Sequence, residues 1–401
     1  MDTFMEIPII KNTSRPALLL TINGGSSSIR FSVYETGPIL NKKLSGKIDR
    51  IGLSNPTLAY HHESVPVRAS NMGEAAGSLI DWLEHQIDFD QLGAVGHRIV
   101  YGMDHSTAAV IDPDLLHELH KAILNDPEHL PGEIELIESI RNRHPHLIQV
   151  ACFDTAFFAH LPRMARILPI PRHFEKAGIK RYGFHGLSYT SLTEALMRIA
   201  HPQAAMGRCI FAHLGNGASI TALNDLKPVD TSMGFTPAGG LPMGTRTGDL
   251  DPGVAWYLMR KEKITLEDFN RLVNHESGLL GISETSSDME DLLIKESTDV
   301  RAAEAVAYFC YQVKKYIGSY TAALCGLDLL AFTGGIGENA GVIRSRICAG
   351  LEYLGIKLDE ERNQRNGLLI SSDSSRIPVY CIPTDEESII ARQTANITSN
   401  I

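Results

Sequence analysis

Paired cysteines, long apolar runs and a basic excess are all missing from this 401-residue chain. Its six cysteines, Cys152, Cys209, Cys310, Cys325, Cys348 and Cys381, are scattered with no Cys-x-x-Cys among them. That excludes a zinc ribbon or disulfide framework and suits reduced thiols in a cytoplasmic protein. No apolar stretch reaches the length of a bilayer span, so no membrane partner is expected. A net charge of −10 removes the basic face that a nucleic-acid partner needs, while leaving room for a local arginine cluster around a small anion. The opening "MDTFMEIPIIKNTSRP" has early acids and no long apolar core, unlike a signal peptide, and reads as a short extension. G-x-x-x-x-G-K-[ST] is also missing, which argues against a P-loop nucleotidase. His117-Glu118-Leu119-His120 lacks the two-residue gap of a helical zinc motif.

The chain is too long for one ordinary core, so two domains are expected. Strand-like and helix-like segments alternate, which indicates an α/β protein. "SLIDWLEHQI" (78–87) and "PDLLHELHKAIL" (113–124) carry apolar residues at helical spacing, and the longest helix candidate is 302–324. "LGAVGHRIVYG" (92–102) and "LIQVACFDTAF" (147–157) read as buried strands with polar, functional ends. "GLDLLAFTGGIGENAG" reads as a buried strand, a glycine turn and a helix.

Two hairpins stand out. "LLLTINGGSSSIRFSVYE" (18–35) and "CIFAHLGNGASITAL" (209–223) each run strand, tiny polar turn, strand, with Asn23-Gly24-Gly25-Ser26 matched to Gly215-Asn216-Gly217-Ala218. Turns of Gly and Ser bury almost nothing, but they leave backbone N–H groups open as an anion cradle. One such turn is most simply an ordinary hairpin. A pair, one in each half, predicts a duplicated fold holding a phosphate chain between opposed hairpins. Gly335-Ile336-Gly337-Glu338-Asn339-Ala340 fits G-x-G-x-x-A, but too little chain follows for a dinucleotide domain. It reads instead as a turn under a nucleoside.

"INGGSSSIRF", "GHRIVYG", "FDTAFF", "RYGFHGLS", "HLGNGAS", "MGTRTGDLDPG", "FTGGIGENAG" and "IPTDEE", taken in order, resemble the acetate kinase family over essentially everything after Ala17. The resemblance implies a duplicated ribonuclease H-like fold, as in actin, sugar kinases and heat-shock chaperone ATPases, with two domains around a nucleotide cleft. It places an N-terminal domain at 1–154, completed by 386–401, and a C-terminal nucleotide-binding domain at 155–385. It further implies a homodimer and reversible phosphoryl transfer between ATP and acetate, giving acetyl phosphate and ADP, with Mg²⁺ (Mn²⁺ as an alternative). A carboxylate acceptor is already ionised at neutral pH and needs no general base. The difficulty is bringing an anion to a polyanion, which calls for cations.

The family's motifs assign the parts residue by residue. Arg98 matches the carboxylate-binding arginine and Arg246 the arginine at the transferring phosphoryl group, where a guanidinium fork suits both oxygens sets. His185 matches the histidine that contacts the phosphoryl group. Asp154 matches the catalytic aspartate and is expected to organise the metal, its waters or an arginine. Asn23 and Glu386 match the Mg²⁺ residues. Ser26, Ser28, Arg30, Leu214, Gly215, Asn216 and Gly217 are expected around the phosphates; His213 either joins them or only braces its hairpin. Asp288, Met289, Glu290, Gly335, Ile336, Gly337, Glu338 and Asn339 are expected around the nucleoside. Val100, Leu124, Phe184 and Pro237 match the acyl pocket, with Val100 favouring acetate over propionate.

Some positions depart from the family pattern. Arg30 replaces a lysine, Asn125 a histidine, and Phe158, Leu187 and Tyr189 change two motifs. Glu290 stands where a positive side chain is usual. A propionate or butyrate kinase of the same fold, and a catalytically decayed nucleotide-binding module, remain the alternatives.

Overall fold

Two mixed sheets built on one plan carry the chain. In the computed structural model, residues 18–25 and 27–399 are described, so the N-terminal extension and the Ser26 assignment lie outside them. The first sheet contains β1 (Leu18–Gly24), β2 (Ser28–Glu35), β3 (Asn41–Asp49), β4 (Thr57–Tyr60), β5 (Glu63–Pro66), β6 (Leu92–Ile99), β7 (Ala109–Val110) and β8 (Ile148–Phe153). Their spatial order is β5-β4-β3-β2-β1-β6-β8-β7. The second contains β9 (Arg208–Leu214), β10 (Ala218–Asn224), β11 (Lys227–Thr231), β12 (Leu329–Thr333) and β13 (Val379–Cys381), in the order β11-β10-β9-β12-β13.

The repeat is topological. In each sheet three consecutive strands pair antiparallel, and the first of the three then pairs parallel with a later strand, which pairs parallel with the next. The expected duplicated fold is therefore present. The first sheet adds the β4–β5 hairpin at one edge and β7 at the other.

The echo seen in sequence needs a correction. β1 ends at Gly24 and β9 at Leu214, so Gly25 corresponds to Gly215, and Asn23 corresponds to His213 rather than to Gly215. Gly25 N–H donates to Ser28 O, whereas Gly215 N–H donates to Gly217 O, so the first turn carries one more residue. Runs of Gly, Ser and Asn hold no side chain large enough to mark the register.

Packing on both faces makes β1 read as a continuous apolar run rather than an alternating one. Leu20 and Ile22 join Leu79 and Leu83 of the helix Met72–Gln86, while Leu19 joins Tyr34 and Ala391 of the helix Glu386–Thr398. The former helix begins six residues before its apolar stretch because Asn71 caps it, accepting from Glu74 N–H. The long helix Val300–Ala323 covers the second sheet, placing Phe309, Val313 and Ile317 with Ile210 and Ala222.

The helix Glu386–Thr398 crosses back to the first sheet. Its Ile389 and Ile390, 2% and 0% exposed, pack with Val150, Cys152 and Leu187. Each such burial contributes roughly 1.5–3 kcal/mol, which fixes the first turn and its Glu386. Asp385 caps that turn, accepting from Ser388 N–H, and two glutamates follow where the helix dipole favours anions. All six cysteines are free, and only Cys325 is exposed. Among the described residues no helix is long and apolar enough to cross a membrane.

Candidate active site

Parallel strands in both sheets aim their carboxyl ends at one region, the usual place for a ligand in open α/β sheets. On the first sheet, Asn23 lies near the end of β1, Arg98 near the end of β6 opposite Cys152, and Asp154 directly after β8. On the second, His213 sits near the end of β9, Gly334 follows β12, and Glu386 follows β13 by a short loop.

Arg98 and Asp154 form the fixed part. Arg98 Nε and Nη2 donate to Asp154 Oδ2 at 2.9 and 2.6 Å, and Nη1 donates to Asn23 Oδ1 at 3.3 Å. Asp154 Oδ1 accepts from Leu187 N–H at 3.1 Å, a backbone bond that the leucine departure leaves intact. Gly186 permits this approach, since a Cβ there would stand 1.9 Å from Asp154 O. Burial opposes the Arg98 charge, yet Asp154 and Glu386 outweigh it and hold the guanidinium above its ordinary value. Burial lifts the Asp154 carboxyl, with Arg98 pulling against it.

Asn23 continues the chain of contacts. Its Nδ2 donates to Glu386 Oε2 at 2.8 Å, and Ser188 Oγ donates to Glu386 Oε1. Burial pushes the Glu386 carboxyl up, but Arg98, Ser188, His213 and Asn23 together bring it below its usual value, so it is an anion at neutral pH. Among the described residues no three His, Cys, Asp or Glu side chains converge as a metal cage. One buried carboxylate beside one amide fits a hard cation that keeps most of its water and takes phosphate oxygens, as Mg²⁺ does.

His185 is built to stay neutral. It stands before the helix Gly186–Ile199 with φ at +62°, a left-handed conformation uncommon for a residue with a side chain. Its Nδ1 is 2.9 Å from Ser219 Oγ, and Ser219 Oγ is 2.5 Å from Tyr189 OH. Burial, then His213, Arg98, Arg246 and His129, drive its basicity well below the ordinary histidine value. His213 stacks on it at 4.2 Å between ring centroids and is itself lowered to about 4, chiefly by burial. A Cβ on Gly217 would lie 3.3 Å from His185 Nε2 and 3.9 Å from Arg246 Nη1, so the second hairpin's bare turn faces both groups.

Arg246 differs from Arg98 in having no carboxylate within ion-pair distance among the described residues. Its Nη2 donates to His129 Nε2 at 3.1 Å, while Nη1 lies 3.5 Å from Pro237 O. Burial lowers its affinity for its proton, with Asp126 and Glu128 opposing.

The remaining sequence-assigned residues divide. Val100 and Phe184, 2% and 1% exposed, share a core with Phe153 and Tyr182, and Pro237 is buried beside Arg246. Leu124 does not join them: it is 90% exposed, because the helix Pro113–Ala122 has already ended and the chain turns outward. Arg30 is exposed but close enough to lower His213 and Glu387. Ser28 opens β2. Leu214 is fully buried; the Asn216 carbonyl accepts from Gly244 N–H, tying the hairpin to the Arg246 loop.

On the nucleoside side, Gly335 is exposed with open space where a Cβ would be, and Ile336 is half-buried. Gly337 is buried beneath them, and its carbonyl accepts from the wholly buried Arg344 at 2.7 Å. Glu338 Oε1 is occupied by Thr333 Oγ1, Gly334 N–H and Thr384 N–H, which makes it a brace between the β12 turn and the Glu386 loop. Asn339 is exposed and bonds Gly335 O. Asp288 is exposed and caps the helix Met289–Lys295, its Oδ1 accepting from Glu290 and Asp291 N–H, whereas Met289 is a core residue at 4% exposure, so its side chain is turned away from a nucleoside. Sequence reasoning missed Asp126, His129, Glu133, Ser188 and Ser219. Asp126 reaches only His129, three residues on, but the partners of the other four lie tens to hundreds of residues away, and no local pattern marks them.

Comparison with known proteins agrees with this geometry. The acetokinase family profile matches residues 18–392. An acetate kinase of Methylocella silvestris is 41% identical, covering 94% of this chain and 96% of its own. The solved propionate kinase of Francisella tularensis superposes with a TM-score of 0.87 at 34% identity, covering 95% of this chain and 99% of its own. The Porphyromonas gingivalis acetate kinase superposes with a TM-score of 0.84 at 34% identity, covering 95% and 100%. With a duplicated fold, two arginines brought to one region and a match over nearly its whole length, the chain belongs to the acetokinase family and is a phosphotransferase with a carboxyl group as acceptor.

Proposed function

We propose that this site transfers the γ-phosphoryl group of ATP to acetate, reversibly, giving acetyl phosphate and ADP. One observation carries the reading: a carboxylate-locked Arg98 and a carboxylate-free Arg246 face the same region, with neutral His185 beside the bare turn at Gly217. Three Arg98 N–H groups are engaged by Asp154 and Asn23, which leaves two to grip the acceptor. Arg246 and His185 are donors aimed where charge gathers on the phosphoryl group, and no base is required because the acceptor arrives ionised. Asp154 serves by orienting Arg98. Val100 and Phe184 form the apolar side of the acyl site, without Leu124.

Asn23 and Glu386 would hold Mg²⁺, which supplies positive charge across the β- and γ-phosphates. The bare turn at 215–217, beside His185 and Arg246, would face the phosphates, and Gly335 leaves room for the nucleoside.

The test traps acyl phosphate with hydroxylamine, using ATP, Mg²⁺ and acetate, propionate or butyrate. Acetate is expected to give the highest kcat/KM, by about tenfold over propionate, since one methylene is worth about 1–3 kcal/mol. A propionate preference would favour the second reading, which the Francisella tularensis structure supports. No product from any acid would end both.

Glu290 is exposed at the start of the helix Met289–Lys295 and adds negative charge on the nucleotide side. Glu290→Arg is expected to tighten ATP binding by about twofold to fivefold, a surface-charge effect. Calorimetry showing an unchanged or weaker Kd would contradict it.

A homodimer is proposed from the apolar surface at Trp256, Tyr257 and Tyr311, which are 67%, 45% and 59% exposed. Light scattering should give twice the 44.0 kDa chain mass, and a monomer at micromolar concentration would refute it. We also propose the division into residues 1–154 with 386–401, and 155–385, supported by the packing of Ile389 and Ile390 on the first sheet's core.

A further inference from the structure

Arg246 lies on a glycine-rich segment with no regular secondary structure, so something outside that segment must hold its guanidinium. The contact that does so comes from the first half of the chain. Arg246 Nη2 is 3.1 Å from His129 Nε2, and His129 Nδ1 is 2.9 Å from Asp126 Oδ1. A guanidinium has no acceptor, so Nε2 must accept and the ring hydrogen must sit on Nδ1, donated to Asp126. Each atom in the chain therefore has a defined role.

Both partners are buried: the His129 side chain is 9% exposed and that of Asp126 is 2%. Asp126 Oδ2 has no hydrogen-bond partner at all. A buried carboxylate oxygen left unsatisfied is costly, so packing alone does not account for an aspartate here. The adjacent Glu128 ties the same segment to the other half a second time, accepting from Asn270 Nδ2 at 3.0 Å and contacting His275 Nε2 at 2.7 Å.

We propose that Asp126 and His129 are positioning residues, a carboxylate–imidazole relay that orients Arg246 for the transferring phosphoryl group without neutralising it. The contrast with Arg98 gives the physical reason. A guanidinium bonded directly to a carboxylate, as Arg98 is to Asp154, gives one edge of its fork to that partner, which offsets much of its charge. Arg246 meets a neutral imidazole that occupies one N–H, and the anion stands one ring further away. Its remaining donors and most of its field stay available to phosphoryl oxygens. The inference rests on the phosphoryl role of Arg246 proposed above.

The experiment compares His129→Leu, His129→Gln, Asp126→Asn and Arg246→Ala by acyl-phosphate trapping with ATP, Mg²⁺ and acetate. His129→Leu is expected to lower kcat by about 10–100-fold, with KM for acetate changed by less than about threefold. His129→Gln keeps an acceptor for Arg246 and should recover most of the rate, to within about threefold. Asp126→Asn, which still accepts from His129 Nδ1, should lower kcat by less than His129→Leu does. A wild-type kcat in His129→Leu, or a His129→Gln no faster than His129→Leu, overturns the inference. Should His129→Leu fail to fold, His129→Gln is compared with His129→Ala, and equal rates overturn it. If Arg246→Ala itself keeps full activity, the phosphoryl role of Arg246 fails instead, and the two failures are thereby told apart.

Discussion

Arg246→Ala is expected to lower kcat for acyl phosphate formation by about 10³-fold, some 4 kcal/mol of barrier, with KM for ATP nearly unchanged. The asymmetry follows from where Arg246 stands. It faces the turn at Gly217 next to His185, and no carboxylate pairs with it directly. On the proposed reading ground-state ATP would be held elsewhere, at the second hairpin's turn and over the open space at Gly335. Losing Arg246 therefore removes an interaction that grows as charge spreads over the phosphoryl oxygens, which lowers kcat rather than affinity. Arg246→Lys should recover little, because a point charge cannot keep one N–H on His129 while presenting others in a fixed fork. Steady-state kinetics on folded variants, checked by circular dichroism, measure this. A kcat for Arg246→Ala within about fivefold of wild type would remove Arg246 from the chemistry.

Arg98→Ala is expected to act on both binding and stability. The acceptor carboxylate loses its fork, so KM for acetate should rise by about 10²-fold, since a charge-assisted bidentate contact contributes about 1.5–3 kcal/mol. KM for ATP should change far less. The second effect comes from what Arg98 leaves behind. Asp154 is fully buried, its Oδ2 receives both Arg98 donors, and Glu386 relies on the same guanidinium. Removing one partner of such a group typically costs about 3–5 kcal/mol, which urea or thermal unfolding would register. Adding Asp154→Asn to Arg98→Ala removes the stranded charge and should restore part of that stability while leaving KM for acetate high. Equal rises in KM for acetate and ATP, or no loss of stability in Arg98→Ala, would show that Arg98 does neither task.

Much of this architecture was legible before folding was considered. Glycine and serine turns between apolar strands marked both hairpins, and Glu386 was assigned through the resemblance carried by "IPTDEE". Arg98 and Asp154 each stood where an apolar strand turns polar, so local pattern is informative there, whereas His185 and Arg246 were assigned by resemblance to the family's motifs.

The errors have physical causes too. Leu124 belongs to an apolar-spaced stretch, but the helix ends at Ala122 and the periodicity no longer says which way a side chain points. Met289 sits within a nucleotide-side motif, yet its side chain belongs to the core. The two hairpins were matched two residues out of step, because small residues leave the register to the strand pairing.

What the amino-acid sequence determined by itself was the kind of machine: an α/β duplication, a cleft for phosphates, and arginines in place of a general base. The duplication and the cleft follow from where small residues leave backbone exposed between apolar strands, and the arginine roles from the resemblance of their motifs to the family's. Only the tertiary structure decided which arginine is locked and which is free. Arg98 meets Asp154 across adjacent strands, whereas Arg246 reaches across the halves to His129, with Asp126 behind it. Those contacts join positions 56 and 117 residues apart, and pairing over such separations is set by how the sheets and helices pack.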